Sequence, residues 1–158
     1  MKEDSVVRVR PFRPADAGQY MELRRLLWPQ CSTEDHIKDI ASFLNRPEDN
    51  AVYVAADPKE NLYGFVEVGL RPYAEGCKSS PVGYVEGWYV APARRGRGMG
   101  RSLFEAAEGW AQRKGLKEMA SDTEIENEGG RKAHEALGYR RTQTLHCFAK
   151  DLPGSVSA

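Results

Sequence analysis

Val90-Ala91-Pro92-Ala93-Arg94-Arg95-Gly96-Arg97-Gly98-Met99-Gly100 decides how the rest of this chain is read. Ahead of it, Val82 to Val90 has the composition of a strand. Behind it, Gly100 to Lys114 carries Leu103, Phe104, Ala107, Trp110 and Ala111 along one helical stripe, and Gly115 supplies a left-handed cap. The stretch is therefore a strand end, a glycine-rich turn and a helix start. The first turn of such a helix leaves backbone N–H groups without intrahelical acceptors, and its dipole favours negative charge there. Glycines let an anion approach the backbone, and Arg94, Arg95, Arg97 and Arg101 add cations, so the pattern predicts a pyrophosphate site. A solvated surface turn is the competing reading. Strand, Pro92, loop and amphipathic helix all agree against it.

Working outward, Val6 to Phe12 reads as a strand, followed by helices from about Ala17 to Trp28 and from Ser32 to about Asn45. Ser32 with Asp35 is a capping-box variant, and Ile37, Ile40, Ala41 and Leu44 are spaced as a buried stripe. Ala51 to Ala56 and Leu62 to Leu70 form a hairpin pattern around Asp57-Pro58-Lys59-Glu60-Asn61. Beyond Gly115, the pattern predicts a short strand at Glu118 to Asp122, a helix at about Gly130 to Leu137 and a final strand region from Tyr139 to Lys150. Three consecutive strands exclude the regular alternation of a dinucleotide fold, so the order implies an α/β (α+β) sandwich with a mixed sheet. We expect one domain over residues 1–152 and a loose tail over 153–158.

Composition narrows the function classes. Lys plus Arg and Asp plus Glu are equal at 23 each, so no global field favours nucleic acid or an anionic membrane, and neither partner is expected. Cys31, Cys77 and Cys147 are odd in number and lie outside any CxxC pair, which argues against a disulfide framework and against a metal site. Met1 to Ser5 lead into a strand without an apolar signal core, and no apolar run approaches the roughly 20 residues that span a bilayer. A cytoplasmic protein is expected.

Arg95 to Gly100 matches the acetyl-CoA signature of the GNAT superfamily, Arg or Gln, two residues, Gly, one residue, Gly or Ala, and the resemblance covers nearly the whole chain. Leu27-Trp28-Pro29, Gly76-Cys77-Lys78-Ser79-Ser80-Pro81, Val85-Glu86-Gly87 and Glu118-Met119-Ala120-Ser121-Asp122-Thr123 are similar to the aminoglycoside 6'-N-acetyltransferases. The resemblance implies the GNAT fold, with a mixed central sheet of about six or seven strands flanked by about four helices. It implies acetyl-CoA as cosubstrate, transfer to the 6'-amine of an aminoglycoside, a role in drug resistance, and a homodimer to which the final strand region contributes.

Acetylation of an amine needs a neutral nitrogen, so a group must take its proton. Glu86 is the first candidate base, because the two-residue strand period places it on one face with Trp88 and Val90. Asp122, at the end of the neighbouring strand, is the second. Backbone N–H groups of Trp88, Tyr89 and Val90 are expected to face the thioester and the pantetheine arm. Arg95, Gly96, Arg97, Gly98, Met99, Gly100 and Arg101 are expected to hold the pyrophosphate. The resemblance adds Asn127 as a contact to the CoA arm, with a helix cap as the competing reading. It also places His134 where many GNAT members have a tyrosine that protonates the leaving thiolate, a departure that leaves a packing role open. Trp28, Tyr73, Glu86 and Asp122 are implied as substrate contacts, with Glu75, Glu124 and Glu126 as further acidic candidates. Gln143 stands where an acidic residue is expected. Two alternatives remain at this point: a GNAT enzyme for polyamines, an amino acid or a protein N-terminus, and a non-catalytic acyl-CoA-binding module.

Overall fold

The structure is a computed structural model that describes residues 6–154. The leader Met1 to Ser5 and the tail beyond Gly154 lie outside the described residues. The chain divides into two compact units, one ending at Asp122 and one beginning at Thr123.

The first unit holds a five-stranded sheet in the order β1-β2-β3-β4-β5. Its strands are β1 (Arg8–Pro11), β2 (Asn50–Ala56), β3 (Leu62–Arg71), β4 (Val82–Val90) and β5 (Met119–Ser121). Three helices accompany them, α1 (Ala17–Leu27), α2 (Thr33–Leu44) and α3 (Met99–Arg113). Neighbouring strands are antiparallel except for β4 and β5, which are parallel and joined by the α3 crossover. The β2–β3 turn is tied by Asp57, whose Oδ1 accepts from the backbone N–H groups of Lys59 and Asn61, both at 2.9 Å.

Each face of the sheet is covered by the helix its sequence period prepares. The predicted stripe of α3, Leu103, Phe104, Ala107, Trp110 and Ala111, is buried throughout. On the opposite face Tyr20 and Leu23 of α1 pack with Val52, Val54, Phe65 and Tyr89. Helix α2 departs from expectation. Its N-cap Ser32 accepts from Asp35 N–H at 3.0 Å as predicted, but Ile37 is 55 % exposed and Leu44 38 %. Of the predicted stripe Ile40 packs against the core, and His36 and Phe43 join it on the inward side. His36 Nδ1 accepts from Arg24 Nε of α1 at 3.3 Å, and this polar pairing turns the helix by about one residue from its apolar pattern.

The second unit contains α4 (Glu128–Ala136), ended by Gly138 at φ 92°. The predicted final strand from Tyr139 to Lys150 is a correction. Residues 139–152 form neither helix nor strand, and residues 140–154 are exposed. A strand is defined by its ladder, and this segment carries no strand assignment. Among the described residues the sheet therefore has five strands rather than six or seven, with four α-helices as expected.

Candidate active site

Strand β4 organises the site. It pairs with β3 from Gly64↔Val90 to Arg71↔Val82, but with β5 only at Gly83, Tyr84 and Val85. From Glu86 to Val90 no strand among the described residues pairs with its second edge. That edge leads through Pro92 into the Arg95–Gly100 loop. Gly98 caps α3 at φ 82° and Gly96 has φ 78°, left-handed values that favour glycine at both positions. A Cβ at either would meet nothing within 4 Å, so the backbone is open to an approaching anion. Arg95 and Arg94 are held against the end of β4 and against β3. Arg95 Nε donates to Val90 O at 2.8 Å, and the Arg94 guanidinium lies 4.2 Å over the Tyr63 ring. Arg97 and Arg101 are exposed beside the helix start.

The face assigned to Glu86 from strand period is corrected by a bulge. Register advances from Glu67↔Gly87 to Val68↔Val85, so Glu86 is the extra residue on β4. Trp88 packs edge-on against Phe104 of α3, with ring centroids 4.4 Å apart. Glu86 turns instead into a cleft of about 460 Å³ on the α1–α2 face, lined also by Trp28, Asp39 and Glu67. Trp28 forms one wall, lying so close over β4 that a Cβ at Gly87 would sit 2.5 Å from its Cη2.

The two candidate bases are linked through a cation and a ring. Arg71, the last residue of β3, donates from Nε and Nη2 to the two oxygens of Glu86 at 2.8 and 2.7 Å. Its guanidinium stacks 3.5 Å over the Tyr84 ring, and the Tyr84 hydroxyl donates to Asp122. Burial and the Asp122 carboxylate push the Tyr84 hydroxyl above its ordinary range, so it remains a donor at neutral pH. Tyr73 follows β3 by two residues and is 63 % exposed. Glu75 is half-buried in the same loop.

Sequence reading missed the cleft floor. Glu67 is 3 % exposed and bonded through Oε1 to the Tyr20 hydroxyl and to Arg24, which itself stacks 4.6 Å over Trp28. Burial pushes the Glu67 carboxyl up, against the opposing pull of the Arg24 guanidinium and the Tyr20 hydroxyl. The available signal was a lone carboxylate inside the apolar run Phe65-Val66-Glu67-Val68.

In the second unit, Asn127 is the N-cap of α4, its Oδ1 accepting from Gly130 N–H at 2.9 Å. His134 donates from Nδ1 to Gly130 O at 2.7 Å and stands edge-on to Tyr139. Glu124 and Glu126 are exposed in the segment ahead of α4. Among the described residues no group of three His, Cys, Asp or Glu side chains is arranged to hold a metal ion.

A strand edge opening beside a glycine-rich helix start suits an acyl-CoA, and comparison with known proteins gives the same reading. The acetyltransferase (GNAT) family model matches residues 20–139. The chain belongs to the GNAT acetyltransferase family. Within it the chain groups with the aminoglycoside N(6')-acetyltransferases. It is 40 % identical to the type 1 enzyme of Klebsiella aerogenes, over 94 % of this chain and 99 % of that protein. Identity to the type 1 enzyme of Stenotrophomonas maltophilia is 38 %, over 94 % and 95 %. Among solved structures, AAC(6')-Iy in complex with the bisubstrate analogue CoA-S-monomethyl-acetylneamine superposes with a TM-score of 0.87 at 33 % identity, covering 94 % of this chain and all of that one. As in other GNAT acetyltransferases the cosubstrate is acetyl-CoA, and the open Arg95–Gly100 loop fits its pyrophosphate.

Proposed function

We propose that this acetyltransferase moves the acetyl group of acetyl-CoA to the 6'-amino group of aminoglycosides and so confers resistance to them. The observation that carries the acceptor is the cleft: Glu86 and Asp39 present carboxylates beside the flat wall of Trp28, as a polycationic sugar requires. Trp28, Tyr73, Glu86 and Asp122 contact the acceptor. Glu86 and Asp122 take part in removing its proton, with Glu86 standing next to the open β4 edge. Trp88, Tyr89 and Val90 offer backbone groups to the pantetheine arm and the carbonyl oxygen, while the Arg95–Arg101 segment holds the pyrophosphate.

The reaction follows directly. The acceptor ammonium loses one proton, and its nitrogen lone pair attacks the thioester carbonyl. The new C–N bond forms as the C–S bond breaks, and the sulfur leaves with the bond pair. The second nitrogen proton balances the released thiol. His134 and Asn127 are carried by the resemblance alone, His134 as acid for the thiolate and Asn127 as a contact to the CoA arm. Residues 1–152 act as one catalytic domain, consistent with a family match that spans both units. A homodimer is proposed through the exposed C-terminal segment, where Leu145 is 55 % and Phe148 93 % exposed. We also propose a cytoplasmic location, where acetyl-CoA is made and held. No helix among the described residues is long and apolar enough to cross a membrane. An acetylation screen by thiol release against aminoglycosides, polyamines and peptides tests the acceptor. Response to aminoglycosides supports the reading, and response to the other amines alone overturns it.

A further inference from the structure

Glu86 is held by a cation before any acceptor arrives. The Arg71 fork meets both of its oxygens, and the stack on Tyr84 fixes the plane of that fork. The pair is neither buried nor fully solvated, with side-chain exposures of 40 % for Arg71 and 32 % for Glu86, so its charges act on a neighbour with only partial screening. Other charged groups face it from every side of the cleft: Arg24 on α1, Asp39 on α2, Arg46 after α2, Glu67 on β3, and Asp122 behind Tyr84. Carboxylates outnumber guanidiniums in this set, and Arg71 is the cation bonded directly to Glu86.

This arrangement bears on the hardest requirement of the reaction. A bare carboxylate binds an ammonium well but also stabilises it, raising its pKa and opposing formation of the nucleophile. A guanidinium on that carboxylate cancels much of the effect while leaving its lone pairs available to orient N–H. We propose that Arg71 is a positioning and charge-tuning residue: by neutralising Glu86 it lets the carboxylate align the acceptor nitrogen without locking it in the ammonium form. The proposal rests on the reading of Glu86 as an acceptor contact. It makes Arg71 the determinant of the pH at which the acceptor becomes reactive.

The experiment is a pair of substitutions, Arg71→Gln and Arg71→Lys, assayed by thiol release with neamine across about pH 6 to 10. In Arg71→Gln the acidic limb of kcat moves up by about one pH unit and kcat at neutral pH falls by about tenfold, while KM for neamine stays level or falls. Arg71→Lys retains the charge and returns the limb toward its original position. Loss of kcat with an unmoved limb, or a limb that lysine fails to restore, overturns the proposal. A measurement on the unaltered enzyme guards against a variant that does not fold. In the complex with CoA and 15N-labelled neamine, the reactive amine titrates below its value in free neamine; titration at or above the free value contradicts the proposal. Absence of neamine turnover in the unaltered enzyme, with polyamines or peptides active instead, removes the acceptor reading itself. An unmoved limb with normal turnover removes only the role of Arg71.

Discussion

The indole of Trp28 lies against the backbone of β4 at Gly87, where a Cβ would stand 2.5 Å from Cη2 and 3.1 Å from Cζ2. The glycine therefore sets the position of the aromatic wall over the cleft. Replacement Gly87→Ala pushes Trp28 outward. KM for the acceptor is expected to rise by about tenfold, with CoA affinity unchanged because the Arg95–Gly100 loop is untouched. Steady-state kinetics with titration calorimetry of CoA checks both halves, and a normal acceptor KM contradicts the role of the wall.

Glu86→Gln and Asp122→Asn test the two carboxylates on either side of Arg71 and Tyr84. Each is expected to lower kcat or acceptor affinity by at least about tenfold while thermal unfolding stays near that of the parent protein. Near-parental constants for both variants contradict their assignment.

Beneath the cleft the Arg24–Glu67 pair is a structural element, buried on both sides with side chains 5 % and 4 % exposed. Removing one partner leaves a charge in an apolar setting. Arg24→Leu or Glu67→Leu alone is expected to cost about 3 to 5 kcal/mol, whereas the double replacement recovers much of the loss. Urea unfolding of the four proteins measures the coupling, and additive losses contradict it.

Acid sensitivity has an identifiable source at the other edge of the sheet. Arg10 reaches Asp16 from Nη1 at 2.7 Å and Nη2 at 2.8 Å, and Arg13 N–H adds a bond at 2.8 Å. The Arg10 bond, opposed by burial and aided by Arg13, holds the Asp16 carboxyl below the usual carboxylate range. A depressed folded-state pKa contributes stability above the unfolded value of about 3.9, lost as pH falls through the lower folded value. Asp16→Asn is expected to cost about 1 to 3 kcal/mol at neutral pH and to flatten the dependence of stability on pH below about 4. Urea midpoints measured against pH show the flattening, and an unchanged acid slope contradicts it.

How far the sequence carried these conclusions depended on whether a local period stayed intact. The α3 stripe and the β4-to-loop transition are written in consecutive residues, and both formed as read. Glu86 was assigned to the wrong face because one inserted residue on β4 reverses the alternation, and a bulge leaves no mark in composition. In α2 the pairing of His36 with Arg24 outweighed the apolar spacing of Ile37 and Leu44. The Tyr139–Lys150 segment has strand composition but takes up neither helix nor strand, since a strand forms through its ladder and not through composition. Arg71 and Glu67 were visible only as ordinary charges until the fold brought them to one cleft.

The identity of the acetylated product decides whether the 6'-amine of an aminoglycoside is the acceptor. Purified protein, acetyl-CoA and neamine are incubated while thiol is followed, and the product is examined by NMR. One thiol is expected per neamine consumed, with an acetyl group on the 6'-nitrogen alone. Acetylation at another amine, or CoA binding without thiol release for any aminoglycoside tried, contradicts it.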